Sequence, residues 1–186
     1  PQKISQVILV IGHLGHQIKS HFGSQFKGRA IIYVEQREPR GTFNALRQAK
    51  PFLQKDFLIL MGDDLYSKKD LEKLLAFEQS VLVRKVDGPS EKFGVCLVNE
   101  NGIVSEIIEK QKGVEFTYAN CGAYKLTQAI FSEKVFLGAN GEEYLSSMVG
   151  SLTKKKPLKA VEAKFWSPIN DLEEFENAKN VIAGLR

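Results

Sequence analysis

The amino-acid sequence predicts an α/β fold: a Rossmann-like, mixed and mostly parallel sheet with helices on both faces. Short apolar runs that end at a glycine, such as Ile4–Ile11 and Phe57–Met61, are typical of buried strands in a parallel sheet. Segments with helical spacing of apolar residues alternate with these runs up to residue 86, which gives a βαβαβαβ order. Right-handed crossovers in such an order place helices over both faces of the sheet.

The first half of the chain contains four expected strands and three expected helices. The strands are Ile4–Ile11, Ala30–Val34, Phe57–Met61 and Ser80–Val86, and the helices are His13–Phe22, Thr42–Ala49 and Leu71–Phe77. The first helix is indicated by Leu14, Ile18 and Phe22, which recur at helical spacing. The second begins after Gly41 and ends before Pro51, two residues that commonly flank a helix.

The second half begins with a small β excursion around residues 94–126. An Asn-Gly turn signal at Asn101 predicts a hairpin of the strands Gly94–Asn99 and Ile103–Glu109. The remaining expected strands are Tyr118–Leu126 and Leu158–Ala163, and the remaining expected helices are Gln128–Phe136, Glu143–Thr153 and Leu172–Ile182. The last helix is indicated by four apolar residues on one face, namely Leu172, Phe175, Ala178 and Ile182.

Length and composition favour one ordinary globular domain over residues 1–186. Neither a transmembrane-length apolar segment nor a signal-peptide pattern is present, so we expect a cytoplasmic chain with no membrane partner. Cys96 and Cys121 are isolated, which favours free thiols in a reducing compartment. Residues 154–159 contain four lysines without interleaved aromatic residues, and we therefore expect no nucleic-acid partner.

The stretch from Asp56 to Tyr66 is where the sequence predicts a ligand site. Its apolar run ends at Gly62 and is followed at once by Asp63 and Asp64. Ligands of open α/β sheets bind beyond the carboxyl ends of the strands, and adjacent carboxylates are hard oxygen ligands suited to Mg²⁺. The alternative is an ordinary strand that ends in an Asp-rich turn.

Six stretches in a fixed order carry a family resemblance. They are Gln36–Ala45, Gly62-Asp63, Phe93-Gly94-Val95, Glu109-Lys110, Asn120–Tyr124 and Trp166–Ala178. This order resembles the sugar-1-phosphate nucleotidyltransferase family, which includes glucose-1-phosphate thymidylyltransferases and N-acetylglucosamine-1-phosphate uridylyltransferases. The resemblance covers nearly the whole chain, and it implies a nucleotidyltransferase domain with Mg²⁺ as cofactor.

The resemblance implies a base-binding role for the segment that contains Gln36, Gly41 and Thr42. In this family the Gln…Gly-Thr segment binds the nucleobase. The side-chain amide of Gln36 can both donate to and accept from a pyrimidine edge. Gly41 is expected to let the backbone approach the base closely. The alternative for Gln36 is a surface loop residue.

Two other motifs of the family lie near the sugar. The first comprises an aromatic-Gly element and an Asn-x-Gly element, which implies sugar contacts by Gly94, Asn120 and Gly122. In the family's Glu-Lys element the carboxylate takes sugar hydroxyls and the lysine neutralises the sugar phosphate, which implies these roles for Glu109 and Lys110. The alternative for Glu109-Lys110 is an exposed charge pair at the end of a strand.

The metal ligands implied by the resemblance are Asp63, at the strand tip after Gly62, and a residue of the Trp166 motif. In thymidylyltransferase-like members an Asp stands where this chain has Pro168, which cannot ligate a metal through its side chain. Ile169-Asn170 matches the Val-Asn segment of uridylyltransferase-like members, so Asn170 is the expected second ligand and Asp171 the reserve.

The beginning of this chain departs from the family pattern. Members begin with a strand and a Gly-rich loop that cradles the triphosphate, whereas Pro1–Ile11 already resembles their second strand. We therefore expect an N-terminally incomplete domain that does not turn over in isolation.

The reaction implied by the resemblance joins an NTP, with UTP or dTTP favoured, to a sugar-1-phosphate, giving an NDP-sugar and pyrophosphate. Asp63 and Lys110 are its expected catalytic residues. The alternative is a non-catalytic nucleotide-sugar-binding or regulatory module, and the sequence leaves a homo-oligomer open.

Overall fold

A computed structural model describes residues 4–85, 93–109, 118–138 and 140–184 of the chain. Its strands are β1 (Val7–Ile11), β2 (Gln25–Phe26), β3 (Arg29–Glu35), β4 (Asp56–Ile59), β5 (Asp64–Tyr66), β6 (Ser80–Lys85), β7 (Val95–Val98), β8 (Val104–Ile108), β9 (Tyr118–Thr127), β10 (Lys159–Glu162) and β11 (Trp166–Pro168). Its α-helices are α1 (Gly15–Phe22), α2 (Thr42–Ala49), α3 (Lys68–Leu74), α4 (Leu145–Thr153) and α5 (Leu172–Gly184).

The central sheet is organised around the long strand β9. One edge of β9 pairs with β6, which in turn pairs with β10, and the other edge pairs with β7 and β4. Strands β1, β3 and β2 form a separate three-stranded sheet, and β5 pairs with β11. The sheets are mixed, as the sequence predicts, but the expectation that they are mostly parallel is wrong. Two described strand pairs are parallel and six are antiparallel, in part because β9 runs against all three of its neighbours.

Both faces of the central sheet are covered by helices. Alternate residues of β6 point to opposite faces, because successive side chains of a strand alternate. Val81 lies in a core cluster that contains Phe43 of α2 and Met148 of α4. Leu82 lies in a second cluster with Leu74 of α3. The predicted arrangement of helices on both faces is therefore confirmed.

Several elements differ from the sequence prediction. Strands β2, β5 and β11 are two or three residues long and were not predicted. The segment expected to be a helix over Gln128–Phe136 is a 3₁₀ helix over Gln128–Ser132. Most of the apolar side chains that indicated α1 and α5 are exposed; Leu172, for instance, retains 82% of its accessible surface, whereas Ala178 is buried. Among the described helices, none has the length and apolar character needed to span a membrane.

Candidate active site

The two adjacent carboxylates at the end of β4 have different environments. Asp63 lies in the turn before β5 and is exposed. The Oδ2 atom of Asp64 lies 2.8 Å from Nε1 of Trp166 and 3.0 Å from the hydroxyl of Tyr66. Burial raises the pKa of Asp64, although these two hydrogen bonds oppose that shift. Asp64 thus ties β5 to the C-terminal segment, and the side chain of Asp63 faces solvent.

The ladder between β5 and β11 brings the C-terminal motif to the strand tip. Pro168 stands opposite Asp64 in this ladder. The next residue, Ile169, donates its backbone N–H to the carbonyl oxygen of Asp63 at 3.0 Å. Asn170 follows directly, so segments about 100 residues apart in sequence meet at the position where the sequence predicts a metal.

The side chains of Asn170 and Asp171 are held by the first turn of α5. Oδ1 of Asp171 accepts the backbone N–H of Glu174 at 2.8 Å, which is a helix N-cap interaction. Nδ2 of Asn170 donates to Oε2 of Glu174 at 2.9 Å, so Asn170 keeps its amide oxygen for another partner. Asp171 therefore has a structural role in this arrangement, which supports Asn170 as the better ligand candidate.

The donor chemistry at this edge fits Mg²⁺. The Asp63 carboxylate and the Asn170 amide oxygen are hard donors, and Mg²⁺ is usually bound through one or two carboxylates together with water and substrate phosphates. Within the described ranges there is no cluster of three or more His, Cys, Asp or Glu side chains suited to a metal.

The segment with Gln36 leaves the end of β3. Nε2 of Gln36 donates to the carbonyl oxygen of Gly41 at 3.1 Å and to Oδ1 of Asn44 at 3.2 Å. Both N–H groups of the amide are thereby engaged, and among the residues that the structure describes no donor bonds to its Oε1, which is the atom that can be offered to a ligand. The sequence alone predicts both a donor and an acceptor role for this amide.

Gly41 and Thr42 pack against the start of α4. Gly41 has a φ of 97°, and a Cβ atom there would lie 2.6 Å from the carbonyl oxygen of Glu143. The structure thus gives a packing reason for glycine, in addition to the expected approach of a base. The hydroxyl of Thr42 accepts the backbone N–H of Leu145 at 2.9 Å. Its substrate-binding role stays a prediction.

The three predicted sugar-side residues on β7 and β9 are brought together. Asn120 donates its backbone N–H to the carbonyl oxygen of Gly94 at 2.8 Å, and its Oδ1 accepts the backbone N–H of Gly122 at 3.1 Å. Gly122 has a φ of 69°, and a Cβ atom there would lie 2.6 Å from Cγ of Met61. This group therefore lies beside the segment that leads from β4 to Asp63.

Glu109 follows β8 and contacts α4. Its Oε1 accepts a short hydrogen bond from the hydroxyl of the buried Ser146. Lys110, the expected catalytic lysine, lies outside the described residues.

Sequence reasoning did not single out five residues that hold these segments in place, namely Asn44, Tyr66, Glu143, Ser146 and Trp166. Most of their hydrogen bonds join segments far apart in sequence, and no local pattern reveals such pairs.

Comparison with known proteins assigns the chain to a protein family. The family model of nucleotidyl transferases matches residues 2–183, and the chain belongs to this family. The predicted resemblance to sugar-1-phosphate nucleotidyltransferases is confirmed.

Individual relatives support the same assignment. The bifunctional protein GlmU of Methanocaldococcus jannaschii is 28% identical over 169 residues, which cover 89% of this chain and 40% of GlmU. The UTP–glucose-1-phosphate uridylyltransferase AglF of Haloferax volcanii is 29% identical over 132 residues, which cover 68% of this chain and 54% of AglF. The chain thus spans about half or less of the length of these relatives.

A solved structure shares the fold. The crystal structure of a UDP-glucose pyrophosphorylase complexed with UDP-glucose superimposes with a TM-score of 0.82 at 19% identity, covering 97% of this chain and 82% of the pyrophosphorylase. The predicted Rossmann-like α/β fold is therefore confirmed.

Proposed function

We propose that residues 1–186 belong to a nucleotidyltransferase domain that joins an NTP to a sugar-1-phosphate, giving an NDP-sugar and pyrophosphate. The observation that carries the proposal is the β5–β11 ladder, which sets the Asn170 segment beside Asp63. The sugar-1-phosphate oxygen attacks the α-phosphorus of the NTP as the bond to pyrophosphate breaks. Mg²⁺ held by Asp63 and Asn170 would offset the charge that develops on the phosphates.

The remaining site residues take positions around the two substrates in this proposal. Gln36 and the Gly41-Thr42 backbone contact the base. Gly94, Asn120 and Gly122 contact the sugar, since they lie together beside the segment before Asp63. Glu109 accepts from sugar hydroxyls, and Lys110 neutralises the sugar phosphate.

The proposed nucleotide is UTP or dTTP. The free acceptor of Gln36 suits the N3–H group that uracil and thymine share. AglF, by its name, acts on UTP and glucose-1-phosphate, which supports the same class of substrates. The buried free thiols of Cys96 and Cys121 support a reducing compartment, in keeping with a cytoplasmic location.

The proposal is tested by comparing alanine substitutions of the two adjacent carboxylates. Asp63→Ala should abolish the Mg²⁺-dependent part of UDP-glucose binding in calorimetry and should leave the melting temperature nearly unchanged, because Asp63 is exposed. Asp64→Ala should instead lower stability by about 1–3 kcal/mol, since it removes the acceptor of the Trp166 and Tyr66 groups.

Glu72→Ala is the control, because Glu72 is an exposed carboxylate of α3 that lies outside the proposed binding segments and is ion-paired only with Lys68 among its described contacts. It should change neither quantity. If Asp64→Ala abolished Mg²⁺-dependent binding while Asp63→Ala preserved it, the proposed metal register would be wrong.

A further inference from the structure

Three buried or partly buried side chains form a hydrogen-bonded relay behind the base-binding segment. Oε1 of Glu143 accepts from Nδ2 of Asn44 at 3.4 Å and from Nη2 of Arg47 at 2.9 Å. Oδ1 of Asn44 then accepts from Nε2 of Gln36 at 3.2 Å. Asn44 and Glu143 each retain only 7% of their accessible surface, so these two members are shielded from water, whereas Gln36 is half-buried.

The relay has a defined polarity, meaning a fixed order of donors and acceptors, because one end of it is a carboxylate. An ionised carboxylate only accepts hydrogen bonds, whereas each amide can present either its oxygen or its nitrogen. Glu143 requires the amide nitrogen of Asn44, which turns the Asn44 oxygen towards Gln36. That oxygen requires the amide nitrogen of Gln36.

The carbonyl oxygen of Gly41 favours the same orientation of the Gln36 amide, because it accepts the other N–H of Gln36 at 3.1 Å. Reversing the Gln36 amide would face its oxygen towards two acceptors. The Oε1 of Gln36 is thus held as the atom available to a nucleobase.

We propose that Glu143, through Asn44, is a positioning residue that sets base preference by holding Gln36 as a hydrogen-bond acceptor. The inference rests on the proposed function, in which Gln36 contacts the base. A fixed acceptor suits the N3–H of uracil and thymine and disfavours cytosine, whose N3 is itself an acceptor. Leaving two acceptors facing each other costs a hydrogen bond and the desolvation of both groups.

The experiment measures discrimination between bases rather than affinity alone. The dissociation constants of UDP-glucose and CDP-glucose are measured by calorimetry with Mg²⁺ for the wild-type chain and each variant. A residue that only supports the loop would weaken both ligands alike, whereas loss of a positioning residue changes their ratio. Melting temperatures verify that each variant is folded.

Two variants break the relay at different points. Asn44→Ala removes the middle member, and Glu143→Met removes the acceptor oxygens that define the polarity while keeping a side chain of similar size. Each should reduce the ratio of CDP-glucose to UDP-glucose dissociation constants by about fivefold, which corresponds to one neutral hydrogen bond. Glu142→Gln, a change of the neighbouring half-buried carboxylate, is the control and should retain the ratio.

The outcomes separate this inference from the proposed function. If Gln36→Ala abolishes discrimination while Asn44→Ala and Glu143→Met preserve the full wild-type ratio, the relay is refuted and the base contact stands. If the wild-type chain does not discriminate between the two ligands, or binds neither, the relay falls together with the proposed base contact.

Discussion

Gly41→Ala probes the joint between the base-binding segment and the start of α4. Gly41 has a φ of 97° and a ψ of 173°, a backbone region that is nearly restricted to glycine and costs other residues about 1–3 kcal/mol. An added Cβ would also lie 2.6 Å from the oxygen and 2.8 Å from the nitrogen of Glu143. Relieving overlap with backbone atoms costs about another 1–3 kcal/mol. The expected loss of unfolding free energy is therefore about 4 kcal/mol, from these two costs together.

Gly23→Ala is the matched control for this substitution. Gly23 has a φ of 64° and a ψ of −150°, a similarly restricted conformation, but a Cβ atom there would meet no atom within 4 Å. Its expected loss is the backbone cost alone, about 1–3 kcal/mol. The assay is urea unfolding of both variants and the wild type. Equal losses in the two variants would refute the claim that contact with Glu143, rather than backbone conformation, makes Gly41 sensitive.

A further prediction concerns acid stability. Burial alone would raise the pKa of Asp70, but the N–H groups of Phe165 and Lys164 and the Lys73 ammonium outweigh it and hold that pKa below 3.8. The ionised Asp70 carboxylate therefore stabilises the folded state fully above pH 3.8, and this stabilisation is lost as the pH falls through the lower pKa of the folded state. The urea midpoint should consequently drop less steeply between pH 5 and about pH 2 in Asp70→Asn than in the wild type. A slope identical to that of the wild type would contradict this.

Local signals in the sequence predicted an element correctly where residues at its two ends mark its boundaries. Helix α2 begins and ends at the predicted residues, because Gly41 and Pro51 flank it. Strands β5 and β11 were not predicted, because they are three residues long and their ladder joins positions about 100 residues apart in the sequence. The exposed apolar residues of α1 and α5 show a further limit, since helical spacing predicts an apolar face but not its burial.

The same distinction between local signals and tertiary contacts applies to the candidate site. Motif order selected Asp63, Gln36 and Asn120 as candidates, because each follows a predicted strand or lies in one with a recognisable neighbour, and their roles stay predictions. The orientation of the Gln36 amide could not be predicted, since it depends on Asn44 and on Glu143, a residue 107 positions away from Gln36 in the sequence. Polar specificity of this kind depends on tertiary contacts, which no local pattern encodes.

The start of α4 connects the two halves of the proposed site. Glu143 holds the relay behind Gln36, the N–H of Leu145 bonds to Thr42, and the hydroxyl of Ser146 bonds to Glu109. Three of four consecutive residues thus reach the base-binding segment or the predicted sugar ligand. Because these contacts come from residues 143–146, in and just before the first turn of α4, a displacement of α4 would move the base and sugar contacts together. Substitutions at Glu143 and Ser146 should therefore be coupled in nucleotide-sugar affinity, even though their predicted ligand groups differ.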